Sequence, residues 1–321
     1  MTRRSIRAFA PARHAPALVL LASLFAAAAC GNGDGASGPE DSTITQTQIE
    51  ANGLVFDART AGPKKGAPVL LLHGFPESSL EWESQLVALA AAGYRAVAPD
   101  LRGYSPGARP LDVEAYRLDA LTSDVFAIAD SLGMSTFHVV GHDWGAAIAW
   151  NVAIVGPGRV RSLTAVSVPH PVAFALALAN DPDQQAKSQY IDFFRLTGVA
   201  EQTLLANDAA VLRGIYGDGA AAAHADAYVR LLSEPGALTA ALNYYRALGL
   251  TGSAGDDVVV PTLYVWSTGD TALGRYGAEL TAQYVDGPYR FAIIEGASHW
   301  VPEVAADELN GLLLEHLATY D

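Results

Sequence analysis

GHDWG (residues 141–145) follows the apolar stretch TFHVV and opens the helical pattern WGAAIAWNVAIV, so Asp143 sits at the crest of a sharp strand-to-helix turn. Gly141 and Gly145 allow the backbone to turn there and to pack closely. Two further groups fall at matching places: Asp270 closes the strand-like TLYVWSTGD, and His299 follows FAIIEGAS. Each of the three stands just past the end of an expected strand, where open α/β sheets gather their reactive groups. A carboxylate is already ionised at neutral pH and needs no base to activate it. It is a poor attacker of esters and amides, because the anhydride it would form is less stable than the substrate. It suits displacement at an sp³ carbon bearing a strained or good leaving group, which yields an alkyl ester of the enzyme. A histidine oriented by a second carboxylate would then activate water against that ester. Read one at a time, these residues are equally an N-capping aspartate, a surface aspartate and a satisfied histidine; their conjunction points to chemistry.

The elements that would position these groups alternate along the chain. TQIEANGLVFDAR reads as two strands around Asn52-Gly53, a hairpin signal. APVLLLHG, YRAVAPD, TFHVVGH, RSLTAVSVP, VPTLYVWSTGD and YRFAIIEG read as strands. Amphipathic or apolar helical stretches separate most of them, among them SSLEWESQLVALAAAG and DVEAYRLDALTSDVFAIADSLG. This predicts a mostly parallel eight-stranded sheet with helices on both faces. Between about residues 169 and 250 the strand pattern stops. QQAKSQYIDFFRLTG, EQTLLANDAAVLRGIYG, AAAAHADAYVRLLS and GALTAALNYYRALG predict an all-helical cap inserted into the α/β core, whose two parts are 45–168 and 251–321.

HGFPE (73–77), DLRGYS, GHDWG, SVPHP, the aspartate after YVWSTG and GASHW together resemble the α/β-hydrolase epoxide hydrolases, and more distantly the haloalkane dehalogenases. The likeness runs from about residue 45 to the C-terminus. It implies the α/β-hydrolase fold, with nucleophile, acid and base in the chain order Asp143, Asp270, His299. In a nucleophile-elbow enzyme the oxyanion donors are the N–H after the nucleophile and one from the loop after the third strand, here Trp144 and Phe75. The resemblance also implies a cis bond before Pro76. From two cap motifs, which read here YIDFFRLTGVAE and ALNYYRA, it implies that Tyr190 and Tyr245 protonate an opening epoxide. Adjacent helical residues point about 100° apart, so only one of Tyr244 and Tyr245 is expected to face the site. An apolar substrate wall is expected from Phe75, Trp144, Phe193, Phe194, Leu242 and Trp300.

A dehalogenase needs neutral N–H donors for the halide. The Trp144 indole could give one; in the family the second comes from an Asn in the HG loop, where this chain has Phe75, or from a cap tryptophan. The five tryptophans, at 82, 144, 150, 266 and 300, all lie outside the cap. Fluoroacetate-type enzymes place arginines after the nucleophile, where this chain reads WGAAIA. The acid segment WSTGDTALG departs from the family's usual Gly after Trp and Pro after Asp, but no acidic residue follows RSLTAVSVP to replace Asp270. The sequence reading is thus conversion of a small neutral epoxide to a vicinal diol. Haloalkane dehalogenation and an inactive tethered binder are the alternatives.

The N-terminus reads as an export signal over residues 1–29. Arg3, Arg4, Arg7 and Arg13 precede the apolar Ala17–Ala29, a 13-residue run too short to span a bilayer. AAAC, ending at Cys30, resembles a bacterial lipobox, which implies lipidation of that cysteine and anchoring in the cell envelope. Residues 30–44 are a Gly/Ser/Asp-rich tether. Cys30 is the only cysteine, which rules out an intrachain disulfide. Without the four leader arginines, the 20 basic residues fall to 16 against 34 acidic, a formal charge of −18. Nucleic acid and anionic lipid are therefore poor partners. No HExxH, Cys/His cluster or phosphate-binding loop is present, so no metal or nucleotide cofactor is expected.

Overall fold

The computed structural model describes residues 43–217, 219–249 and 257–321. The expected leader, the expected lipidation site at Cys30 and nearly all of the expected tether lie outside them.

β1 (Thr45–Ala51) and β2 (Leu54–Ala61) form the hairpin, with Asn52 and Gly53 both at positive φ, the conformation a tight two-residue turn demands. β3 (Pro68–Leu72), β4 (Arg95–Pro99), β5 (Phe137–His142), β6 (Val160–Val166), β7 (Thr262–Ser267) and β8 (Tyr289–Ile294) complete one eight-stranded sheet in the order β1-β2-β4-β3-β5-β6-β7-β8. β2 meets both β1 and β4 antiparallel; every pairing from β4 through β8 is parallel. The expected α/β-hydrolase sheet is thus present.

Alternation along the strands divides the core between the two faces. Leu70, Leu72, Val139, Leu163 and Tyr264 face one cluster, which takes in residues of α2 (Leu118–Ser131) and α3 (Trp144–Val155). Val69, Leu71, Val140, Leu263 and Val265 face the other, with residues of α1 (Glu83–Ala91) and of a long C-terminal helix at 306–320. Strands buried on both faces read as continuous apolar runs, as VLLL and TLYVW do.

Six helices stand between β6 and β7 among the described residues: α4 (Pro171–Asn180), α5 (Pro182–Lys187), α6 (Tyr190–Phe194), α7 (Val199–Ile215), α8 (Ala220–Leu232) and α9 (Ala237–Arg246). The core then resumes with α10 (Arg275–Leu280) after β7, and ends with α11 (Val301–Val304) and α12 (Ala306–Tyr320). The helices of the insertion differ in detail from the sequence pattern. VAFALALAN forms α4, which its uniformly apolar composition did not announce as amphipathic. QQAKSQYIDFF is two helices broken at Ser188–Gln189. EQTLLANDAAVLRGIYG is interrupted at Asn207, Asp208 and Ala209, which adopt φ of 53°, 58° and 56°. Asn and Asp tolerate that left-handed region better than other non-glycine residues.

Candidate active site

The parallel strands all end on one edge of the sheet, and the reactive residues follow from that. β5 delivers Asp143, β7 delivers Asp270 three residues past its end, β8 leads to His299, and β3 leads to the loop of His73 to Glu77. Asp143 is forced to φ 49° and ψ −119°, which lifts its side chain off the sheet edge. The turn is possible because α3 approaches β3 closely: a Cβ on Gly145 would collide with the Leu72 carbonyl.

His299 stands between the two carboxylates. Its Nδ1 lies 2.9 Å from Asp270 Oδ2 and its Nε2 3.6 Å from Asp143 Oδ2. Asp270 is 1 % exposed, and its Oδ1 accepts the N–H groups of Ala272 at 2.7 Å and Leu273 at 2.9 Å. Burial pushes the Asp270 carboxyl up, but the His299 charge, its hydrogen bond and those two N–H groups outweigh this and hold it below the usual range. Burial likewise opposes ionisation of Asp143; the bond and charge of His299, the His142 ring and the Phe75 N–H hold it low. Burial alone would depress His299, yet Asp270 and Asp143 together raise it well above the ordinary imidazole value.

The Phe75 N–H donates to Asp143 Oδ1 at 2.9 Å, and the Phe75–Pro76 bond is cis. Trp144 is the first residue of α3, so its N–H is one of the helix's free first-turn donors, beside the same carboxyl. Asp143 thus presents Oδ1 to the Phe75 N–H and Oδ2 toward His299.

Asp143, Trp144, Tyr190 and Tyr245 open onto one cavity of about 390 Å³ between the sheet edge and the insertion. Its apolar wall comes from Leu118, Val168, Pro171, Phe174, Ile191 and Leu273, with others. The Tyr190 and Tyr245 rings are 6.1 Å apart, and burial first, then the nearby Asp143 carboxylate, raises both phenols, so both remain O–H donors at neutral pH. Against the expectation that only one of the adjacent tyrosines faces the site, Tyr244 also lines the cavity with its ring; its hydroxyl, however, donates to the Arg102 carbonyl at 2.8 Å and is spent there.

Of the expected substrate wall, only Trp144 lines the cavity. Phe75 and Phe194 pack on each other at 5.1 Å and on Tyr245 at 5.3 and 5.0 Å, so they brace the tyrosine from behind. Phe193 stacks obliquely on Phe194, and Leu242 is fully buried in the helix core. Trp300 lies behind His299, its ring 5.0 Å from the imidazole and 5.8 Å from Tyr216. The break at Ser188–Gln189 and the packing of α9 decide which faces turn inward, and neither is visible in residue type.

Behind the base lies a group the sequence reading left aside. His142 is buried, with Nε2 3.0 Å from the His299 carbonyl and Nδ1 3.3 Å from both Glu77 and Glu81. Glu303 lies nearby, its Oε1 2.6 Å from His224 Nδ1 and 3.0 Å from Tyr228 Oη. Burial, then the mutual repulsion of the acids, pushes Glu77 up to about 8 and Glu303 to about 8, and burial raises Glu81 as well. Among the described residues, Glu77, Glu81 and His142 are the one group with donor atoms all within 4.8 Å of one another, as a metal would require. The available signal was HGFPESSLE itself, two glutamates four apart directly after a buried strand.

A strained elbow carrying a carboxylate, a carboxylate-oriented histidine and a backbone donor aimed at the elbow, all on one edge of a mostly parallel sheet, define a class: an α/β-sheet hydrolase. The comparisons agree. Residues 67–306 match the α/β hydrolase fold family. The chain is 35 % identical over 288 residues to human Epoxide hydrolase 4, covering 86 % of this chain and 79 % of that one. It is 33 % identical over 318 residues to Epoxide hydrolase A of Mycobacterium tuberculosis, covering 85 % and 97 %. The crystal structure of Epoxide Hydrolase A from Mycobacterium thermoresistibile superposes with a TM-score of 0.77 at 30 % identity, covering 87 % and 99 %. The chain belongs to the α/β-hydrolase fold family, alongside epoxide hydrolases, and it is a hydrolase.

Proposed function

We propose that this hydrolase adds water to a small apolar epoxide in two steps through a covalent ester on Asp143. The observation that carries the reading is one cavity holding an ionised elbow carboxylate opposite two protonated phenols. Oδ1 is engaged by the Phe75 N–H, so Oδ2 is the attacking atom. It forms a bond to one ring carbon as the carbon–oxygen bond breaks, and Tyr190 or Tyr245 gives its proton to the departing alkoxide. A raised phenol pKa narrows the gap to the alkoxide without ionising the donor beforehand.

Esterification removes the Asp143 charge that helps raise His299, so the imidazole becomes easier to deprotonate when a base is needed. His299 Nε2 then takes a proton from water, and the hydroxide oxygen adds to Asp143 Cγ. The resulting oxyanion at Oδ1 is held by the N–H groups of Phe75 and Trp144, and Asp270 stabilises the imidazolium. Collapse breaks the ester bond, and the proton of the added hydroxyl passes to the departing alkoxide, which releases the diol and restores the carboxylate; the proton on His299 returns to the tyrosinate through the site. The hole therefore serves ester hydrolysis, not ring opening.

The test is diol formation from aryl and alkyl epoxides, with halide release from haloalkanes run in parallel. Diol without halide, lost in Asp143→Ala and in the Tyr190→Phe/Tyr245→Phe double variant, is the expected result. Halide release that survives loss of both tyrosines would instead make the protein a dehalogenase. No turnover of either class would favour the tethered binder.

A further inference from the structure

The loop carrying Asp270 has two sides. Its inner side is the acid: Asp270 Oδ1 is tied to the loop's own N–H groups and Oδ2 to His299. Its outer side is backbone, and buried peptide groups need partners. One short helix of the insertion supplies them. Gln184 Nε2 donates to the Ala272 carbonyl at 2.8 Å, and Gln184 Oε1 accepts the Gly274 N–H at 2.7 Å. Lys187 Nζ donates to the carbonyl of Asp270 itself at 2.7 Å. Gln184 and Lys187 are three apart on α5 and so share a face. Gln184 is completely buried, and its Nε2 also reaches Ser188 Oγ at 2.9 Å.

The fit is close. A Cβ on Gly274 would lie 3.0 Å from Asp183 Oδ2 and 3.4 Å from Gln184 Oε1. Asp181 caps α5, accepting the N–H groups of Asp183 and Gln184, which fixes the helix from its other end. Beyond α5 the chain goes directly into α6, whose first residue is Tyr190, and Leu273 of the acid loop lines the same cavity as Tyr190. An amide is the side chain this position needs: it offers a donor to Ala272 and an acceptor to Gly274 at once. Carboxylate would lose the donor, and a shorter or apolar chain would lose both.

We propose that Gln184, assisted by Lys187, is a positioning residue that clasps the acid loop to the insertion, setting the Asp270–His299 pair for ester hydrolysis. This assignment rests on the reading that the reaction passes through an Asp143 ester. Because the clasp acts on the acid loop, its loss falls mainly on the second step.

The experiment is single-turnover kinetics with an aryl epoxide, following ester formation and breakdown by tryptophan fluorescence and quench, on the wild type, Gln184→Ala, Gln184→Glu and Lys187→Met. Gln184→Ala should slow ester breakdown by about tenfold or more, as a small misplacement of a catalytic group does. Ester formation should change by less than about threefold, so that ester accumulates. Gln184→Glu should fail in the same direction, and Lys187→Met, which removes one bond at a half-buried position, should slow breakdown about two- to fivefold. A role confined to stability would lower the melting temperature and leave the ratio of breakdown to formation unchanged, and that result overturns the clasp. Should Gln184→Ala fail to fold, Lys187→Met decides alone: an unchanged ratio there is equally fatal. A wild type that forms no ester overturns the underlying mechanism and the clasp with it, whereas wild-type ester with indifferent variants removes the clasp only.

Discussion

Two groups of buried carboxyls lie on opposite sides of His299, and they hold opposite charge states. In front, Asp143 and Asp270 are 7 % and 1 % exposed yet ionised. Behind, Glu77 and Glu81 are each 1 % exposed, and they and Glu303 are pushed toward protonation. Burial is the same penalty on both sides. The difference is in the donors. The front pair receives three backbone N–H bonds and has one His299 ring nitrogen turned to each carboxylate. Behind, Glu77 receives no backbone N–H among the described residues, with only His142 Nδ1 at 3.3 Å beside the like-charged Glu81, and Glu81 takes one long bond from the Gly74 N–H at 3.4 Å. Donors placed by the backbone, rather than depth, decide which acids are available as nucleophile and which hold a proton.

The sharpest way to break this contrast is to remove the front charges. Asp143→Ala should abolish diol formation, a loss on the order of 10⁴-fold or more in steady-state assay. Asp270→Asn leaves a hydrogen bond to His299 but no charge to stabilise the imidazolium, and should lower kcat by about 10²- to 10⁴-fold while ester accumulates in quenched samples. Tyr190→Phe/Tyr245→Phe should slow ester formation by about 10²- to 10⁴-fold, as loss of general acid catalysis does, with each single change costing less. The rear acids should answer differently. Glu303→Gln, which keeps the group neutral, should change kcat by less than about threefold, a comparison with Asp270→Asn that isolates the role of charge.

The smallest effect is on stability. Glu77 has a folded pKa of about 8 against 4.5 for the free group, so folding favours its protonated form. Its contribution to stability is fully present below about 4.5 and is lost as pH rises through about 8. Glu77→Gln should therefore flatten the pH dependence of urea midpoints between pH 5 and 8, an interval set by those values. A slope unchanged in this variant would place the proton elsewhere in the rear group.

The sheet and the front acids were legible because both follow from local pattern. Apolar runs bounded by turn residues mark strands buried on both faces, and the ends of parallel strands converge on one edge wherever the chain winds in this way. Asp143, Asp270 and His299 could thus be brought together from sequence order alone. The Tyr244/Tyr245 choice came from a family motif, and the Tyr244 hydroxyl is indeed committed to the Arg102 carbonyl. The cavity wall was not legible. Phe193, Phe194, Leu242 and Trp300 are the large apolar residues nearest the motifs, but the insertion's helices turn Phe174 and Ile191 toward the substrate space instead, and the core adds Leu118 and Leu273. The rear acids were missed for a related reason: a glutamate in a helical or loop segment is ordinarily a surface residue, and only tertiary packing of the loop after β3 against α8 and α11 buries these three. Gln184 gave no signal at all, since its partners are backbone atoms some 90 residues away.

The most direct test of the covalent account is a single turnover in H₂¹⁸O with enzyme in excess over epoxide, followed by mass spectrometry of the diol and of the Asp143 peptide. Attack by Oδ2 and hydrolysis at Cγ predict a first diol carrying unlabelled oxygen from the enzyme, with ¹⁸O appearing in Asp143. A first diol carrying ¹⁸O, with Asp143 unlabelled, would mean that water opens the ring directly and would contradict the account.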